Sequence, residues 1–456
     1  MESKAELQSK GQKVGDKLKG AAGDAGAKLS GMLSNNKPNI TPLSDAELKQ
    51  QETENEVIFF IFILVGILIF AGFILASQTW RVYTTLHRLS IYSSNEIQQQ
   101  SIVDLNDGAL LDHKLRDYYI ASAYRPYVCY YHKYDYCSIQ VLREVLQAGP
   151  RMIELEIFND GFSKEVEPVV SVGEEKGDWK LTLNTLKLTE VLKVIVDTVF
   201  NYKYVRSLKN DPFIIYLNLK VNRNLACLEK IHRYIYEICG NMLLSPRYSY
   251  NADKDFSDDR ILNITFRECQ KKIILFSSPG FEDSPLQEII NYSGISNYTL
   301  QNYPDQYRIL HVKQSDVVEK EEDIEEYAND QYFKITKANL VGYSKCSYAI
   351  LSPESPDSES FFDGITPYNP EPGKGLECGA QFIMMNYQKI DTNMSNYMYI
   401  FKDSSFVEKA DNLKSQSGAG VCSTEFMGQK RENVDKSQAE LNYTYTTPHS
   451  ERHNRI

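Results

Sequence analysis

Of the groups in this chain that could move a proton or hold a metal, the most suggestive are two carboxylates two positions apart. In GPRMIELEIFNDG, Glu154 and Glu156 sit in a run that alternates as a strand does. Both therefore project from the face that carries Met152 and Phe158, while Ile153, Leu155 and Ile157 take the other. Paired carboxylates are the beginning of a site for a hard divalent cation, which needs several oxygen ligands. His132, alone in YYHKYDYC, reads as a surface loop residue. The eight cysteines (Cys129, Cys137, Cys227, Cys239, Cys269, Cys346, Cys378 and Cys422) form no C-x-x-C pair, which argues against a zinc site. A net charge of -11 argues against a general nucleic-acid binder, which needs a basic footprint. The 31 tyrosines read as strand and surface packing rather than as a platform for stacking bases.

The elements that must carry these groups follow from patterning. Residues 1–56 are polar, with small residues and lysines interleaved, and hold too little bulky apolar surface for a core, so they read as disordered or weakly helical. Residues 57–77, VIFFIFILVGILIFAGFILAS, carry no charge and are long enough as a helix to cross about 30 Å of hydrocarbon. Some fifty polar residues precede this run, so it reads as a retained transmembrane anchor rather than a cleaved signal. Lys37 and Lys49 before it balance Arg81 and Arg88 after it, and the positive-inside rule leaves the orientation open. A juxtamembrane linker is expected over 78–106. Beyond it DYYIASA, RMIELEIF, FIIYLNLKV, KKIILFSS and QFIMMNY read as strands, and Leu188–Phe200 and Leu225–Met242 as amphipathic helices between them. Strand and helix in alternation predict an α/β barrel or open sheet. Glu319–Glu326 reads as a solvated acidic stretch, and 411–456, without periodicity, as a disordered tail.

The order of these segments resembles the X and Y halves of phosphatidylinositol-specific phospholipase C. Ile120–Tyr127, IASAYRPY, is similar to the family's IASSHNTY; Gly149–Gly161 to GCRCVELDCWDG; Pro168–Gly173, PVVSVG, to PVVYHG; and Pro212–Lys220 to PLILSLENH, with GNMLL following at Gly240–Leu244. Tyr368–Pro370 and Cys378–Gln388 resemble NYNP and GCQMVALNFQ. The resemblance implies a TIM-type (β/α)8 barrel behind one transmembrane helix, its site at the C-terminal strand ends. It implies an X-like half over 107–280, an acidic linker over 281–334 and a Y-like half over 335–410.

The same resemblance implies a depleted site. The family's two catalytic histidines fall on Tyr124 and Val172, and neither a tyrosine with a pKa near 10 nor a valine takes a proton near neutral pH. The calcium ligands fall on Arg125, Glu154, Glu156 and Asn218. A guanidinium beside two carboxylates supplies positive charge without an ion, so no cofactor is expected, and calcium only if the site retains metal binding. Headgroup-binding cations fall on Phe276, Ser278 and Ile350 and have become neutral, which implies poor inositol bisphosphate affinity. His132 and Glu174, with Glu175 beside it, are the candidates for a rewired site.

The leading expectation is a single-pass membrane protein whose phospholipase C-like barrel is a pseudoenzyme serving as a structural or interaction scaffold, with the bilayer and an unknown protein as partners and no nucleic acid. Two alternatives stand beside it: a rewired phosphoric diester hydrolase acting on phosphoinositides or another phospholipid, and a non-catalytic lipid-headgroup binder. Degenerate barrels of this kind also resemble proteins of large DNA viruses, which would place the chain in a virion or host membrane.

Overall fold

In the computed structural model, the described residues are 45–94, 99–102, 109–160, 166–173, 179–201, 203–205, 208–249, 261–294, 308–320, 334–354 and 367–415. Residues 1–44, Glu174 and Glu175, most of the acidic stretch and the tail from 416 lie outside them. The chain divides into two compact units, Met1–Ala76 and Ser77–Ile456.

What is described of the first unit is helical. Helix α1 runs from Asp45 to Ser94, so it begins inside the stretch expected to be disordered or weakly helical and replaces most of the expected linker at 78–106. Its segment from Thr53 to Ser93 is long and apolar enough to cross a membrane. Phe59, Phe62, Phe70 and Phe73 are among its exposed side chains. An uninterrupted helix satisfies its own backbone groups, the condition any segment in hydrocarbon has to meet.

The second unit is a closed barrel. Its strands are β1 Tyr118–Ala123, β2 Met152–Asn159, β3 Phe213–Lys220, β4 Ile273–Ser277, β5 Tyr292–Gly294, β6 Arg308–Lys313, β7 Tyr348–Ser352 and β8 Phe382–Met385. Each pairs in parallel with the next, and β8 closes on β1 through Ile120 opposite Phe382 and Ala123 opposite Met385. Short antiparallel strands at Pro168–Val170 and Leu186–Lys187 extend the sheet beyond the end of β2. Helices α2 (Ile139–Gln147), α3 (Leu188–Val199) and α4 (Leu225–Cys239) cover the first strands. Side-chain caps start several helices: Ser138 accepts from the N–H groups of Gln140 and Val141, and Asn224 from that of Cys227.

Two barrel strands, β5 and β6, fall inside the segment expected to be an acidic linker, which corrects the boundary at 281–334. β5 is three residues, YSG, too short for any alternation to register.

Side-chain alternation sends Phe276, Tyr292, Tyr348 and Phe382 into the barrel, where the ring of Phe276 lies 4.9 Å from Tyr292 and 5.5 Å from Tyr348 and from Phe382. Such a layer makes the interior a packed core rather than a pore. Ile350, fully buried, lies in register with His311 on one side and Phe382 on the other. Phe276 and Ile350, positions to which the resemblance assigns headgroup-binding cations, are thus buried apolar side chains in the barrel. Phe276→Ala should cost about 3–5 kcal/mol of stability through the cavity it leaves, measurable by denaturant unfolding.

Candidate functional site at the barrel mouth

The C-terminal strand ends bring the expected residues together. Glu154 and Glu156 point inward from β2, in register with Tyr216 and Asn218 on β3. Arg125 follows β1 and is 2% exposed, and Glu154 and Glu156 are each 1% exposed. The guanidinium of Arg125 pairs with Glu156: Nε donates to Oε1 at 3.0 Å and Nη2 donates to the same oxygen. The other oxygen of Glu156 accepts the Gly173 N–H at 2.8 Å. Asn218 Nδ2 donates to Glu154 Oε1 at 2.9 Å and to Glu156 Oε1 at 3.5 Å. Burial alone would lower the pKa of Arg125, but Glu156, Tyr124 and Glu154 outweigh it and hold the guanidinium charged.

The backbone at Arg125 is itself unusual. Its φ is 45°, in the left-handed region that a non-glycine residue rarely visits, and Pro126 follows it. Gln388, just past β8, holds this turn by donating Nε2 to the carbonyls of Arg125 at 3.2 Å and Val128 at 2.8 Å. Tyr127 fixes the neighbouring strand, giving its hydroxyl proton to the Ser171 carbonyl at 2.8 Å and accepting the Glu156 N–H at 3.2 Å.

His132 is not a surface residue, which corrects the reading of its loop. It is fully buried, its ring stacks on Tyr124 with centroids 5.6 Å apart, and its Nδ1 faces Arg125 Nη1 at 3.4 Å. An arginine can only donate, so Nδ1 accepts and the ring is neutral. Burial first, and Arg125 second, hold its pKa well below the ordinary 6.5. Val172 is fully buried, and Glu174 lies outside the described residues.

Sequence reasoning missed several members of this mouth. His311 on β6 lies across the barrel from Tyr216, Nδ1 to hydroxyl 3.3 Å, and is pushed down to about 4 by burial and then by Lys313 and Lys220. These lysines stand at the ends of β6 and β3, away from the family's headgroup position Ser278, whose Oγ accepts the Leu219 N–H at 2.8 Å. The alternation in RILHVK already puts His311 and Lys313 on one face.

The donor set does not fit a calcium ion. A hard cation needs several free oxygens, yet Glu156 has both of its oxygens engaged by N–H donors, and Asn218 presents its amide NH2 to the carboxylates. Among the described residues no three His, Cys, Asp or Glu side chains converge as metal ligands.

Residues 111–278 match the family model of the phosphatidylinositol-specific phospholipase C X domain. The barrel is of the phosphatidylinositol-specific phospholipase C kind. Among solved structures, S. officinalis PLC21 is 16% identical, with 68% of this chain and 39% of that one covered at a TM-score of 0.50. L. pealei PLC21 is likewise 16% identical over the same shares, with a TM-score of 0.49. A calcium-dependent phosphoinositol-specific phospholipase C from Pseudomonas sp. is 9% identical, covering 68% and 99% of the two chains, with a TM-score of 0.38. The chain thus spans 39% of the length of the two PLC21 proteins, and identities this low show the fold alone. No curated protein sequence matches the chain.

Two outcomes test the electrostatics of this phospholipase C-type mouth. Arg125→Ala should destabilise the barrel by about 3–5 kcal/mol because it strands Glu156 as a buried, uncompensated charge, read by denaturant unfolding. Glu154 titrates at about 7 instead of 4.5, raised by burial and then by Glu156. The folded state therefore keeps a proton that the unfolded chain has released between those values. Its contribution to stability is complete below about 4.5 and is lost as pH rises through about 7. Unfolding curves across pH 4 to 8 should show this decline in the wild type and a flatter profile in Glu154→Gln.

Proposed function

We propose that this chain is a membrane-anchored, phospholipase C-type pseudoenzyme that serves as a structural or interaction scaffold. The observation that carries this reading is the buried pairing of Arg125 with Glu156 at the position the family resemblance assigns to calcium. With the guanidinium there, no metal polarises a phosphoryl oxygen, and Tyr124 and Val172 at the histidine positions supply no base. The side chains that would have to react are 0 to 3% exposed, so a phosphodiester has no approach to them. The apolar part of α1 supports anchoring in a viral or cellular membrane.

One observation favours a second reading, a rewired phosphodiesterase. Glu154, at about 7, is in the range suited to general acid or base work, and His132 lies in the same mouth. Detergent-solubilised full chain, given vesicles of phosphatidylinositol or its bisphosphate with and without calcium, should release no inositol phosphate above the protein-free rate. Turnover that disappears in Glu154→Gln or His132→Ala would establish the rewired enzyme. Saturable vesicle binding lost in a Lys220→Ala, Lys313→Ala double variant, without turnover, would instead make the barrel a headgroup binder.

A further inference from the structure

The exit of α1 and the loop after β1 are built into each other. Within the second unit, residues 77–94 of α1 lay one face on the barrel: Thr85, Leu89 and Tyr92 are buried, and Val82 and Leu86 pack against the core. The Tyr92 hydroxyl donates to the Tyr387 carbonyl at 2.7 Å, and the two rings lie 5.6 Å apart. Further contacts go to one loop, Cys129–Tyr136. Arg81 stacks over the ring of Tyr131 at 4.6 Å, and Arg88 over that of Tyr130 at 4.1 Å. Arg81 Nε also faces Asp135 Oδ1 at 3.7 Å.

Asp135 organises that loop. It is fully buried and accepts the N–H groups of Tyr130 at 3.2 Å, Tyr131 at 3.0 Å and Tyr136 at 2.9 Å. A carboxylate so deeply placed is costly unless donors and a cation surround it, and here Arg81 of α1 is the cation. The conformation gathered around Asp135 is also what turns His132 inward. The histidine ring then lies on Tyr124 and against Arg125, covering the two residues at the base of the mouth.

We propose that Cys129–Tyr136 is a plug that closes the barrel mouth and that α1 is the latch holding it, with Arg81 and Arg88 as positioning residues. The His132 Nε2, buried with no hydrogen-bond partner, is the mark of the strain accepted: an imidazole is driven into a space that does not satisfy it. Such a ring stays in place only while something outside the mouth pins its loop. The two cation–π stacks and the Arg81–Asp135 contact supply that restraint, since each arginine ties a tyrosine of the loop to a rigid helix.

This deepens the reading of a closed, non-hydrolytic mouth and rests on it in part. Its test is independent of turnover, so the two can fail separately. In the full chain in detergent, histidines are modified with diethyl pyrocarbonate and their rates read by mass spectrometry, with exposed His113 as the internal reference. Wild-type His132 should react far more slowly than His113. The Arg81→Ala, Arg88→Ala double variant should speed His132 modification by about tenfold or more, because a local opening then needs less free energy. Amide exchange in β3 and β4 should stay at the wild-type rate. Should the double variant fail to fold, Arg88→Ala alone, which removes one exposed stack, should still raise the His132 rate. The proposal is overturned if wild-type His132 reacts as fast as His113, if the variants leave its rate unchanged, or if β3 and β4 exchange rises in step with it.

Discussion

A guanidinium placed under the mouth of a barrel must meet a carboxylate there, and in this protein Arg125 meets Glu156. Neither charge could be buried alone, because the cost of desolvating an unpaired ion is several kcal/mol even after the protein relaxes. The pair sets the roles of its neighbours. Asn218 and the Gly173 N–H are drawn to the carboxylate, the ring of Tyr124 lies 4.7 Å from the guanidinium carbon, and Gln388 holds a backbone turn that a non-glycine residue adopts reluctantly. Glu154 is left as the second carboxylate beside a charge already compensated, and it retains its proton to near neutrality.

Beneath this layer the interior is filled by aromatic rings from β4, β5, β7 and β8, and above it the plug loop closes over Tyr124. The mouth is therefore bounded by packing on both sides. Titrating groups inside it respond as buried groups do: the histidines become harder to protonate and the carboxyl harder to ionise. Among the described residues of the mouth, Lys220 and Lys313 carry positive charge and are part-exposed.

Much of the barrel was legible in the amino-acid order. DYYIASA, RMIELEIF, FIIYLNLKV, KKIILFSS and QFIMMNY are strands because their apolar alternation matches the pleat, and the helices at 188 and 225 follow from their 3.6-residue stripe. The carboxylate pair was legible for the same reason. β5 escaped because three residues carry no period. His132 was misread because its burial depends on Asp135 three positions later and on an arginine about fifty residues earlier, a contact no local pattern encodes. The helical continuation past residue 77 was missed because polar and aromatic residues there look like a linker until the barrel surface that covers them is known.

The coupling between Arg125 and Glu156 also bears on history. Exchanging Arg125 for a neutral metal ligand would leave Glu156 uncompensated until an ion arrived, and a loss of about 3–5 kcal/mol is a large part of what holds a typical domain together. Restoring imidazole at 124 first would place it in a space already filled, beside the Arg125 guanidinium. On the pseudoenzyme reading, each step toward hydrolysis would be unfavourable until the others had been taken, so the buried pair would act as a ratchet.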